Sequence, residues 1–174
     1  MISKKMEKAL NRQINAELYS SYLYLAMAAH AESKNLRGMA NWFRVQSQEE
    51  LVHATKFFGF VHERGGRVTL EAIEKPPVEW SSPKALFESG LAHERKVTGL
   101  ISDLVNLAVD ERDHATNNFL QFFVAEQVEE ETNADAIVRR LELAQDSGPG
   151  LFMIDNELAA RTFVYPTPLK GAAQ

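Results

Sequence analysis

The chain contains no cysteine. That absence excludes a disulfide-stapled scaffold, thiolate metal sites and thiol catalysis together. No run of roughly eighteen apolar residues occurs, so nothing reads as a membrane span. The most apolar stretch, 18–31, holds tyrosines and serines and lies between Glu17 and Glu32, which reads as a buried helix. Residues 1–8 carry charge with no apolar segment behind them, so no signal peptide is expected. Basic surplus is also lacking. Lys and Arg number 19 against 24 Asp and Glu, a formal net charge of −5, which leaves no basic patch for nucleic-acid phosphates. The expectation is a cytoplasmic protein with neither nucleic-acid nor membrane partners.

Proline is absent from 4–64 and from 84–147, and the first of these stretches holds only Gly38 and Gly59. Long helices can run there. Gly65-Gly66, Pro76-Pro77, Ser81-Ser82-Pro83 and Gly148-Pro149-Gly150 break the pattern. Ser82 reads as an N-cap with proline at the first helical position. The breaks predict one domain over 1–174 with long helices at about 5–33, 36–63, 83–111 and 114–146. A short helix near 151–162 and a tail over 163–174 follow. Three-residue and two-residue links make the first and last helix pairs antiparallel. The segment 65–82 is different, because roughly eighteen residues extend to about 60 Å. A 28-residue helix is only about 42 Å long. The segment therefore spans the bundle and leaves the second and third helices parallel. The fold class is all-α, a four-helix bundle with one long crossover and a short fifth helix.

Apolar stripes at spacings of three and four share a defect. The first reads Leu10, Ile14, Glu17, Ser21, Tyr24, Ala28. The second reads Met39, Phe43, Gln46, Glu50, His53, Phe57, Phe60. The third reads Phe87, Leu91, Glu94, Thr98, Ile101, Val105, and the fourth Leu120, Phe123, Gln127, Glu130, Ala134, Ile137, Leu141. Each carries an acid in its middle. Four carboxylates in one dry interior cost several kcal/mol each if unpaired, and no lysine or arginine lies on the stripes. A bound multivalent cation relieves that cost. Glu50 and His53 stand one turn apart, as do Gln127 and Glu130, so each pair can face one ion. Oxygen donors with one imidazole suit iron or manganese. A glutamate from two helices plus a paired motif on the other two is a known di-metal bundle pattern.

The sequence resembles the ferritin family, in particular its non-haem bacterial and archaeal members. The likeness runs from Leu18-Tyr19 through Asn41-Trp42-Phe43 and Gln48-Glu49-Glu50 to Glu126-Gln127-Val128-Glu129-Glu130 and Phe152-Met153-Ile154-Asp155. It implies that Glu17, Glu50 and His53 hold one iron. Glu50 then bridges to a second iron held by Glu94 and Glu130, with Gln127 beside it. Glu49, Glu126 and Glu129 match the acids of a nearby third iron site in bacterial members. Tyr24 matches a tyrosine able to supply an electron; the other role open to it is a core tyrosine bonded to a ligand. The family activity is oxidation of Fe(II) by O₂ or H₂O₂ and storage of Fe(III) mineral in a cage. That implies a homo-oligomer of 24 subunits, the fifth helix at four-fold contacts, and an unidentified reductant for iron release.

Departures narrow the resemblance. Bacterioferritins carry a second Glu-x-x-His on the fourth helix, where this chain has Gln127 and Glu130. Their haem-ligating methionine falls at Leu51, so no haem is expected, and Met6, Met27, Met39 and Met153 read as packing residues. Some relatives have tryptophan at Phe122. The pore acids of animal ferritins fall at Asn117 and Leu120. His30, His62, His93 and His114 have no expected part in the site. The main alternative is a di-iron peroxidase of rubrerythrin type without storage, which the lack of cysteine disfavours. Intact acids disfavour a cage with a dead centre. The fifth helix and the absence of a basic arm disfavour a DNA-protecting mini-ferritin.

Overall fold

Each helix starts where the local chemistry supplies a cap. The computed structural model describes residues 2–145 and 147–165. Among them lie α1 (Lys4–Ser33), α2 (Arg37–Glu63), α3 (Pro83–Asp110), α4 (His114–Ala144) and α5 (Gly148–Leu158), with no strand. Side chains of Ser3, Ser82, Asp113 and Ser147 accept from the backbone N–H of Met6, Ala85, Thr116 and Gly150. These are donors that no helical carbonyl reaches. Leu36 gives α2 no such cap. Asp155 of α5 supplies it instead, its Oδ1 accepting from Met39 N at 2.9 Å. Expected boundaries shift most at the end of α4 and at both ends of α5, which stops at Leu158 and not near 162. α5 begins at Gly148 because Ser147 caps it and Pro149 fits the first turn. α4 stops at Ala144, where Gln145 turns left-handed at φ 44°. Asp146 and the tail residues 166–174 lie outside the described residues.

The links fix helix direction. Asn35 at φ 60° and Arg112 at φ 54° reverse the chain between α1 and α2 and between α3 and α4. The crossover runs along α1. Arg67 N donates to Glu7, Thr69 N to Asn11 Oδ1, Asn15 Nδ2 reaches the Glu71 and Ala72 carbonyls, and Trp80 meets His30 edge-on at 5.3 Å. The crossover thus returns the chain to the end where α2 began. Arg64, closing α2, contacts Asp113 and Thr116 at the start of α4. The second and third helices are parallel, and the whole is a four-helix bundle with one long crossover and a short C-terminal helix.

Two apolar clusters fill the bundle with a gap between them. One contains Met27, Met39, Phe43, Phe87, Leu91 and Leu141 and extends to Ile154 and Leu158 of α5. The other contains Met6, Leu10, Phe57, Ile101, Leu120 and Phe123. The gap lies between Ile14 and Leu23 on α1, Phe43 and Phe57 on α2, Leu91 and Val97 on α3, and Phe123 and Ala134 on α4. Into it fall the acids of all four stripes. Expected stripe members Thr98 and Val105 are half-buried, and on α1 the buried serine is Ser20, not Ser21. Ser21 sits at the seam with α2, donating to Ser47 O at 2.7 Å while Ser47 Oγ donates to Ser21 O at 2.8 Å. Small side chains there let the two backbones approach closely.

Candidate metal centre

Glu17, Glu50, His53, Glu94, Gln127 and Glu130 all lie in this polar layer, none more than 8% exposed. Glu17, Glu50 and His53 come closest. One donor atom from each falls within 4.8 Å of the others, a spacing that one cation can fill. Glu50 Oε2 and His53 Nδ1 are 3.4 Å apart, as residues one turn apart on a helix should be. Glu17 Oε1 accepts from Gln13 Nε2 at 2.9 Å. Glu17 Oε2 and His53 Nε2 are buried without a hydrogen-bond partner. His53 Nε2 does face Glu126 Oε2, but at 3.6 Å this is a charge contact and not a hydrogen bond. Buried polar atoms left this way are uncommon and call for a ligand.

The remaining donors stand on the other two helices and are braced by neutral amides. Gln127 Nε2 donates to Glu94 Oε2 at 3.1 Å and to Glu94 O at 3.2 Å. Gln46 Nε2 donates to Glu130 Oε2 at 2.7 Å and to Glu50 Oε1 at 3.4 Å. The Tyr24 hydroxyl donates to Glu94 Oε1. Gln13 and Gln46 have no place in the expected site, yet both are buried and each holds a carboxylate. Their signal was present, since Gln13 precedes Glu17, and Gln46 precedes Glu50, by one helical turn.

Burial dominates the electrostatics. It raises Glu17 from the ordinary 4.5 to about 8, with Glu50 adding repulsion and His53 opposing. Glu50, Glu94 and Glu130 are raised for the same first reason, with neighbouring carboxylates adding to it. For His53 burial works against the charged form, but Glu126, Glu50 and Glu17 outweigh it and raise its basicity. No buried lysine or arginine joins this layer among the described residues. A cation placed among these oxygens would displace their protons and reverse each shift.

Around this layer the expected outer acids are less buried. Glu126 is half-buried and Glu129 exposed. Glu49 is raised by burial and by Glu126 and Glu129, while Arg161 and His53 lower it. Its Oε2 accepts from Arg161 Nη2 at 2.5 Å. Arg161, which follows α5, is a neighbour of the site that no helix stripe could contain. Phe122 lies edge-on to His53 at 6.2 Å, with Lys56 Nζ 3.7 Å from its ring centre. His93 points away from the donors into the α1–α3 seam, paired with Ser20 Oγ at 2.8 Å. A cavity of about 320 Å³ opens between α3 and α4 beside Gln127, lined by Thr98, Ile101, Val128 and Glu131 among others. Among the described residues no helix is long and apolar enough to cross a membrane.

The family model of the ferritin-like domain matches residues 7–144. A bacterial non-haem ferritin of Bacteroides fragilis is 43% identical over 161 residues, covering 92% of this chain and all of the relative. One from Staphylococcus epidermidis is 38% identical over 163 residues, covering 94% and 98%. Among solved structures, an open-pore ferritin from the hyperthermophilic archaeon Archaeoglobus fulgidus superposes with a TM-score of 0.92 at 56% identity, covering 93% of this chain and all of that one. A closed form of that ferritin, engineered by mutagenesis, gives 0.93 at 56% identity, covering 94% and 100%.

Proposed function

The chain belongs to the ferritin family, and from that premise we propose that it is a ferroxidase subunit that oxidises Fe(II) and stores Fe(III) mineral in a cage. The observation that carries this reading is the buried Glu17–Glu50–His53 group, set with Glu94 and Glu130 in a polar layer sealed by apolar clusters at both ends. Iron is substrate and cargo here, not a resident cofactor, and no haem is involved.

Each of two Fe(II) ions gives up one electron. With O₂ and two protons the products are two Fe(III) and H₂O₂; with H₂O₂ and two protons they are two Fe(III) and two waters. Glu17, Glu50 and His53 hold one ion, while Glu50, Glu94 and Glu130 hold the other, with Gln127 bracing Glu94. The carboxylates favour the more highly charged product, and fixed placement of both ions around one oxidant is the templating role of a two-metal site. Glu49, Glu126 and Glu129 form an outer acidic stop for a third ion. Tyr24 holds Glu94 through its hydroxyl.

Storage requires a closed shell of identical copies, 24 by the resemblance, in the cytoplasm and without nucleic-acid or membrane partners. Exposed Phe152 and Met153 on α5, and Leu70 and Val78 on the crossover, are apolar surface suited to contacts between copies. The test is stopped-flow oxidation after anaerobic Fe(II) loading, with O₂ and H₂O₂ in parallel. Glu50→Ala should slow the fast phase at least about 100-fold, within the range for loss of a group acting only on the reacting centre. It should leave the assembled size on size-exclusion chromatography unchanged. Unaltered traces would remove Glu50 from the centre, and a monomer would remove the cage.

A further inference from the structure

We propose that Arg161 is a positioning residue of the metal centre, which withholds Glu49 from cations and fixes the amide of Gln46. The inference rests on the centre proposed above. Arg161 Nη2 donates to Glu49 Oε2 at 2.5 Å, and Nη1 donates to Gln46 Oε1 at 2.8 Å and to Trp42 O at 3.4 Å. The guanidinium carbon lies 4.6 Å from the centre of the Trp42 ring. Side-chain exposure is 22% for Arg161 and 14% for Glu49, so solvent screens the pair only in part.

The donor chemistry dictates the rest. A guanidinium carries donors and no acceptor, so it can meet Gln46 only through Oε1. Gln46 Nε2 must then face inward, where it donates to Glu130 and Glu50. One arginine thereby orients an amide shared by two buried carboxylates. Its other arm neutralises Glu49, the carboxylate that the charges of Glu126 and Glu129 repel. A cation drawn to those three acids must first take Glu49 from the guanidinium. Lysine, with a single point charge, cannot hold both partners in one plane.

The backbone beneath Arg161 is pinned to α2. Asn41 Nδ2 is shared among the carbonyls of Leu158, Ala159 and Arg161 at 3.4, 3.3 and 2.8 Å. Asp155 caps the same helix. The docking of α5 thus sets how available the outer acids are, although α5 contributes no donor to the inner group.

Terbium(III) tests this, being redox-inert, oxygen-seeking and sensitised by a nearby indole. The full-length protein is used with Trp80→Phe throughout, which leaves Trp42 as the one tryptophan of the two in the chain. Arg161→Ala should tighten terbium at the weaker site by about tenfold and raise emission sensitised by Trp42. Adding Glu49→Gln should cancel the gain. Arg161→Lys, which keeps the charge and guards against a folding defect, should fall between Arg161→Ala and the parent. Equal affinity at the weaker site in parent and Arg161→Ala, with the inner pair still filling, overturns the proposal alone. An inner pair that fills in neither protein, as judged against Glu50→Ala, overturns the centre and this inference with it.

Discussion

Tyr24 on α1 donates its hydroxyl hydrogen to Glu94 Oε1 on α3, across the buried polar layer. Burial, then Glu94 and Glu50, push ionisation of the phenol well above the ordinary 10, so Tyr24 stays a donor throughout the physiological range. The other oxygen of Glu94 accepts from Gln127 at 3.1 Å. Both oxygens are therefore oriented before a cation arrives, whereas Glu17 keeps one oxygen bare. The two sides of the layer differ in readiness, one braced and one open.

Tyr24→Phe removes the donor but keeps the ring that stacks on Phe43 at 6.1 Å. A buried carboxylate oxygen then loses its partner, which costs about 1–3 kcal/mol. Urea denaturation of the metal-free protein should show that loss, and a redox-inert divalent ion should recover much of it by replacing the proton donor with a metal bond. Fe(II) oxidation should slow less than in Glu50→Ala. Equal midpoints for the variant and the parent would mean that the bond contributes nothing to the fold.

The pH dependence of the metal-free protein follows from groups shifted in opposite directions. Glu17, raised to about 8 from 4.5, contributes stability that is fully present below 4.5 and lost as pH rises through 8. His53, also raised, contributes stability present below 6.5 and lost at higher pH. His93 is lowered to about 4 by burial and by Lys96, so its contribution is present above 6.5 and lost as pH falls through 4. Between 4.5 and 6.5 the Glu17 and His93 slopes oppose each other; above 6.5 only losses remain. Chaotrope unfolding should therefore show the metal-free protein weakening from pH 6.5 to pH 8. Cation uptake at pH 7 should release protons, measurable by calorimetry in two buffers of different ionisation heat. A flat profile with no proton release would mean that these carboxyls are already ionised.

What could be read in advance depended on whether a residue violates its surroundings. Acids on apolar stripes do so conspicuously, and the stripes of α2 and α4 match the buried residues throughout. Gln13 and Gln46 carry no charge, so their burial raised no such conflict, although they brace Glu17, Glu50 and Glu130. On α1 the expected stripe slipped by one residue at Ser21, because a serine pair at a close helix seam has no apolar period to betray it. The crossover's reach followed from its length, but its track followed from Asn11 and Asn15, which hold its backbone. Arg161 reaches Glu49 from 112 residues away and from outside every helix, so only the docking of α5 could place it.

That docking turns on Gly38. A Cβ there would lie 1.6 Å from Asp155 O, 2.5 Å from its carbonyl carbon and 3.0 Å from Ala159 N. All three are backbone atoms, so no rotamer change makes room and α5 must lift from α2. Lifting it exposes Ile154 and Leu158, frees Met39 N and strips Asn41 of its three carbonyls. Gly38→Ala should lower stability by about 1–3 kcal/mol, the range for overpacking a filled contact. Most far-UV helix signal should remain, because α1 to α4 keep their own contacts. Size-exclusion chromatography should show smaller species, since the exposed apolar face of α5 would no longer be presented in one orientation. A variant with the parent's melting temperature and assembled size would show that α5 does not rest on α2 in solution.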